Sequence, residues 1–115
     1  MKDKEYISIK KMMEYIDKAL EYTKGYNFEE FSNDSKTSDA TVFIISQIGE
    51  LVKNISKETI KKYPNIEWNM IKGLRNRIVH DYEGVILKSV WYVVTNDIID
   101  LKKQLQLILE NEKIM

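Results

Sequence analysis

A chain of 115 residues and 13.6 kDa has room for one domain, 1–115, and not for a second independent core. Eighteen basic residues balance eighteen acidic ones, and that neutrality argues against a protein that coats nucleic acid by bulk charge, though not against a small local basic site. With no cysteine and a single histidine, disulfides, zinc–thiolate sites and a multi-histidine metal site within one chain are excluded as well.

Four glycines and one proline leave little punctuation, which predicts an all-helical domain. The first helix is expected over Glu5 to Lys24. Ile9, Met12, Met13, Ile16, Ala19 and Leu20 recur there at steps of three and four and so share one face. Gly25 is a suitable stop. Tyr26 to Asn33 reads as a short turn or connection anchored by Phe28 and Phe31. Asn33-Asp34-Ser35 is loop-like, with Ser38 or Asp39 as the cap of the next helix.

The second long helix is expected over Ser38 to Ile55, with Ile44, Ile45, Ile48, Leu51, Val52 and Ile55 as its apolar stripe. Gly49 lies inside it, where glycine costs about 1 kcal/mol relative to alanine. A short helix over Lys57 to Tyr63 ends at Pro64. A third long helix spans Glu67 to Asp81, with Trp68, Ile71, Leu74 and Ile78 apolar, and Gly84 interrupts the chain after it. The last helix runs from Ile86 to Glu112. Leu87, Val90, Val94, Ile98, Leu101, Leu105 and Ile108 give it a near-heptad stripe. The expected fold is therefore all-α, a small antiparallel bundle of four to five helices, for which burying a further face in a homodimer is natural. The longest apolar run is about five residues, from Val90 to Val94, against the roughly 20 that span a bilayer. Met1-Lys2-Asp3-Lys4-Glu5 has no signal-peptide apolar region, so a cytoplasmic protein with no membrane association is expected.

Sixteen of the eighteen cations are lysine. The two arginines, Arg75 and Arg77, and the single histidine, His80, lie within six positions of one another. At about 100° per residue, with Arg75 set at 0°, the apolar positions of this helix centre near 320°. On the same wheel Asn76 falls at about 100°, His80 at about 140° and Arg77 at about 200°, so His80 points away from the core of its own chain. A lone histidine is more often a surface or core residue than a catalyst, and two arginines on a helix usually face solvent or carboxylates. Here lysine serves as the general surface cation, so two arginines beside the histidine fit a need for fixed planar donors to phosphate. Tyr82 falls toward the core on an unbroken helix and can turn outward if the helix ends near Asp81. Trp68 and Trp91 read as packing residues. Lys53, Lys57, Lys61 and Lys62, offset by Glu50 and Glu58, read as a solvated face, with phosphate-backbone contact as the lesser reading.

The segment Arg75-Asn76-Arg77-Ile78-Val79-His80-Asp81-Tyr82, an arginine, four residues, histidine, any residue and tyrosine, resembles the motif of HepT-like ribonuclease toxins of the HEPN superfamily. Ala40 to Ser56 around Ile48-Gly49-Glu50, then Tyr63-Pro64-Asn65-Ile66-Glu67-Trp68, Gly84-Val85 and Val90-Trp91, are similar to the family's flanking segments. Two positions depart from it. Ile86 stands where an acidic residue is common, and Ile98-Ile99 where a leucine–proline pair is common.

The resemblance implies a homodimer with two motif copies meeting in an interface cleft and metal-independent cleavage of RNA, with no cofactor. Arg75 and His80 would be catalytic, and Asn76 and Arg77 supporting. It also implies an MntA-like nucleotidyltransferase antitoxin that neutralises the toxin by transferring AMP to Tyr82. The alternative function is a non-catalytic helical binding module that partners a nucleotidyltransferase, with the motif holding a nucleotide or phosphate.

Overall fold

A computed structural model describes residues 1–80 and 85–113, with side chains at all of these except 75–80, 85 and 86. Every element among the described residues is helical. They are α1 (Asp3–Thr23), α2 (Phe28–Asn33), α3 (Ser35–Leu51), a 3-10 turn (Val52–Asn54), α4 (Lys57–Lys62), α5 (Trp68–His80), α6 (Val85–Tyr92), a π-helical turn (Val93–Asp97) and α7 (Ile98–Asn111). The body measures 45 × 28 × 21 Å. α3 packs on α1 and α5, and α1 also packs on α7.

The apolar stripes read from the sequence form one continuous core. Ile9, Met12, Ile16 and Ala19 of α1 meet Ile44, Ile45 and Ile48 of α3, Ile71 and Leu74 of α5, and Val94, Ile98, Leu101, Leu105 and Ile108 of the C-terminal helices. Each such side chain taken from water contributes about 1.5–3 kcal/mol, which makes tertiary packing, rather than helix propensity, the main source of order.

Local chemistry sets the helix ends. At the end of α1, Gly25 takes a left-handed φ of +80°, which a residue with a Cβ adopts only under strain. A methyl group there would meet nothing within 4 Å. Gly25→Ala is therefore expected to cost about 1 kcal/mol from the backbone alone, read as a lowered urea midpoint with an unchanged slope.

The segment expected as a turn holds a true helix, α2, because Asn27 and Glu30 cap each other. The Glu30 N–H donates to Asn27 Oδ1 at 2.8 Å, and the Asn27 N–H donates to Glu30 Oε1 at 3.1 Å. Phe31 is fully buried, and its ring lies 5.1 Å from that of Trp91, with Phe28 6.4 Å from the same indole. Both phenylalanines are anchors, as expected, and Trp91 is their packing partner.

The cap of α3 differs from the expectation. It is Asp34, not Ser38 or Asp39, and the helix starts three residues earlier. Asp34 accepts from the Thr37 N–H at 3.1 Å, from the Thr37 hydroxyl at 2.9 Å and from the Tyr26 phenol at 2.7 Å. The Tyr26 hydrogen bond foremost, then those from Thr37, hold the Asp34 carboxyl below the usual aspartate range. Three donors converge on one carboxylate, and neither Ser38 nor Asp39 competes with that.

The α3 stripe runs on into the 3-10 turn, where Val52 and then Ile55 remain buried. Beyond it Ser56 caps α4, its Oγ accepting from the Thr59 N–H at 3.2 Å. Here the bundle is tied by a buried acid. Glu5 is 4% exposed, and its Oε1 accepts from the Ser56 N–H at 2.7 Å and the Thr59 hydroxyl at 2.8 Å. The Lys2 N–H donates to Oε2 at 3.1 Å, and Asn54 Nδ2 donates to Ser8 Oγ at 3.1 Å beside it.

The helix expected as continuous from Ile86 to Glu112 is divided by the π turn at Val93–Asp97. Its carbonyls are partly taken by side chains. The Thr95 hydroxyl donates to the Trp91 carbonyl at 2.8 Å, and Asn96 Nδ2 donates to the Tyr92 carbonyl at 3.2 Å. Among the described residues, no helix is long and apolar enough to cross a membrane.

Candidate functional site

α5 carries the motif, and its first half is firmly seated. Pro64 ends the preceding segment, and the Trp68 N–H donates to the Ile66 carbonyl at 2.9 Å. The Trp68 indole N–H reaches the Tyr63 carbonyl at 3.1 Å. Trp68, Ile71 and Leu74 are each buried, so the core direction read from the wheel is correct for the described part of the helix. From the other side, Gln104 of α7 donates to the Asn65 carbonyl at 3.3 Å and holds the connection ahead of α5. Trp68 is thus a packing residue with a satisfied polar edge, as expected.

The helical backbone extends through His80, so Arg75, Asn76, Arg77 and His80 fall within the last six residues of one helix. Their side chains lie outside the described residues, and Tyr82 lies outside them altogether. On the register of α5, Asn76 and His80 are one turn apart, and Arg77 precedes His80 by three. These are positions from which side chains can meet on a single surface.

A cleft of about 300 Å³ runs along this helix. Glu67, Met70, Ile71 and Leu74 of α5 and its approach form one wall, and Val93, Asp97, Ile98, Asp100 and Leu101 form the other. It reaches Leu74, the residue immediately before Arg75. The sequence reading missed this second wall. A signal was present: the last helix's stripe contains two consecutive steps of four, Val90 to Val94 to Ile98, where an ordinary helix drifts off its face. The π turn falls on that double step.

The lysines at 53, 57, 61 and 62 are exposed, as expected. Lys53 pairs with Glu50, and Lys62 meets Glu112 at 3.0 Å, an ion pair that raises the Lys62 pKa above its usual value. Half the patch is thus offset by carboxylates, in keeping with a solvated face.

The third long helix of the bundle thus carries the two arginines and the histidine in its last six residues, and an open cleft lies along its earlier turns. The sequence profile of the family described as "Ribonuclease HepT-like" matches residues 12–108, and the chain belongs to that family. It is 37% identical over 94 residues to a provisionally named RNase of Caldanaerobacter subterraneus subsp. tengcongensis, covering 82% of this chain and 84% of that one. Over 100 residues it is 34% identical to a provisionally named RNase of Methanocaldococcus jannaschii, covering 87% and 83%. A protein of Thermococcus cleftensis provisionally named ribonuclease HepT is 35% identical over 89 residues, covering 77% and 81%. No solved structure matches the chain.

Proposed function

We propose that this protein is a metal-independent endoribonuclease toxin whose composite site forms where two copies of α5 meet in a homodimer. The observation that carries the reading is the family match across 12–108, which takes in the whole segment from Arg75 to Tyr82. Cleaving RNA without a metal requires that the 2′-hydroxyl lose a proton, that charge on the phosphorane be stabilised and that the leaving 5′-oxygen gain a proton. Histidine suits the proton transfers because its ordinary pKa, about 6.5, lies near the working pH. Arg75 supplies fixed donors to the phosphorane, and Asn76 and Arg77 orient the phosphate or the imidazole. One chain has one histidine, so a base and an acid that are both histidines must come from two subunits. The outward register of His80 supports that arrangement.

In this scheme the protein is one half of a toxin–antitoxin pair. An MntA-like nucleotidyltransferase transfers AMP from ATP to the Tyr82 phenol oxygen: the new bond forms at the α-phosphorus, the α–β phosphoanhydride breaks, pyrophosphate leaves and the phenol proton is lost. The bulk and negative charge then sit two residues from His80, compete for the arginines and keep RNA out.

The test uses the purified protein and a labelled RNA in buffer containing EDTA. Endonucleolytic fragments are expected, and intact RNA, or cleavage that vanishes with EDTA, overturns the reading. After co-expression with the nucleotidyltransferase, mass spectrometry is expected to find AMP on the peptide holding Tyr82. AMP on any other residue overturns the regulatory half.

A further inference from the structure

We propose that Gly73 marks the point where α5 of a second copy crosses this one at close range; the inference rests on the homodimer reading above. Glycine inside a helix is less favourable than alanine, because it orders more backbone and packs no side chain. Gly73 lies inside the 13-residue α5, and nothing within the chain requires it there. A Cβ built at Gly73 would meet no atom within 4 Å, and its φ is not positive. Within the chain α5 packs on α3 and on the 3-10 turn. The buried residues Trp68, Ile71 and Leu74 stand about 100° or more round the helix from Gly73. Half-buried itself, Gly73 sits instead beside exposed Asn69 and half-buried Met70.

Packed helices usually lie about 8–10 Å apart, a spacing set by the side chains at the contact. A glycine removes that spacer and lets a second backbone come closer. The charge of the face selects the occupant. Its described positions, Asn69, Met70 and Gly73, carry no charge, in a chain whose residues are 31% charged. RNA held at close range calls for cations at the point of approach. A two-fold contact instead sets a face against its own copy, where any charge would meet itself at short range. An uncharged face with room for backbone therefore suits a second α5 better than a phosphate chain. The contact falls two residues ahead of Arg75 in each copy, so both motif segments start from one crossing.

The experiment compares wild type, Gly73→Ala and Gly73→Leu by sedimentation velocity over a dilution series. Far-UV circular dichroism and cleavage of a labelled RNA are measured in parallel. Both variants place a side chain in open space on a helix, so each chain is expected to keep its helix content. The dimer is expected to weaken about tenfold in Gly73→Ala and about a hundredfold in Gly73→Leu, with RNA cleavage falling in step with the dimer fraction. Lost helix content in either variant shows that the chain itself needs the glycine and overturns the proposal. An unchanged dimer in Gly73→Leu also overturns it, and lost cleavage by that unchanged dimer assigns the close approach to RNA. Wild type that stays monomeric at every concentration fails the homodimer reading and the proposal together, whereas a wild-type dimer that Gly73→Leu leaves intact fails the proposal alone. If wild type leaves RNA intact, only the ribonuclease reading has failed, and the dimer constants still decide the contact.

Discussion

His80→Ala is expected to lower RNA cleavage by about a thousandfold, measured in EDTA with the same labelled RNA as wild type. General acid–base catalysis contributes roughly 10²–10⁴-fold per positioned group, and in a two-fold site one substitution removes the base and the acid together. Arg75→Ala is expected to lose less, about a hundredfold, because it removes stabilisation of phosphorane charge while proton transfer continues. The wild-type rate should follow a bell-shaped pH profile, since one histidine must be neutral and the other protonated in the same dimer. Dimers of one wild-type and one His80→Ala chain provide the sharpest version. A shared site leaves them nearly inactive, whereas sites confined to single chains leave them about half active. Cleavage by His80→Ala at the wild-type rate removes His80 from the mechanism.

The second large effect concerns stability. Glu5→Ala is expected to cost about 3 kcal/mol, read from urea unfolding near neutral pH, because it removes the acceptor shared by the Lys2 and Ser56 N–H groups and the Thr59 hydroxyl. Burial pushes the Glu5 carboxyl up, but the hydrogen bonds from Ser56, Lys2 and Thr59 outweigh it and bring the pKa from 4.5 down to about 2. A carboxyl depressed by folding stabilises the protein fully above its unfolded pKa and loses that contribution as pH falls through the folded one. Wild type should therefore weaken between pH 4.5 and about 2, and Glu5→Gln should lack that part of the acid dependence. Equal acid sensitivity in the two would show that other carboxylates govern it.

How far the sequence could be read depends on whether an interaction is periodic, local or distant. The stripes of α1, α3, α5 and the last helix were legible because each repeats at helical spacing, and all their described members face the core. The cap of α3 was misplaced by a few residues because Asp34, Ser38 and Asp39 are all competent caps. What selects Asp34 is Tyr26, eight residues earlier, which no capping pattern contains. Glu5 was invisible for a stronger reason. Its donors Ser56 and Thr59 lie 51 and 54 residues away, and a glutamate in a first helical turn reads as ordinary surface charge. The candidate site was legible from scarcity, two arginines and one histidine in a lysine-rich chain, together with the family motif around them. Its facing wall was not, because Asp97 reaches the cleft only through an irregular turn.

The π turn can also be described as a length of chain. It is an otherwise regular helix carrying one surplus residue, accommodated as a local swelling. The stripe on either side, Leu87 to Val90 and Leu101 to Ile108, keeps normal steps of three and four. Excising a single residue between Val94 and Ile98 would turn the double step of four into a four and a three. Both flanks would stay in phase, and the bundle would close as before. What would be lost is the outward bulge that lends Asp97 to the cleft. The fold and the site therefore place different demands on chain length here: the bundle can spare a residue that the cleft cannot.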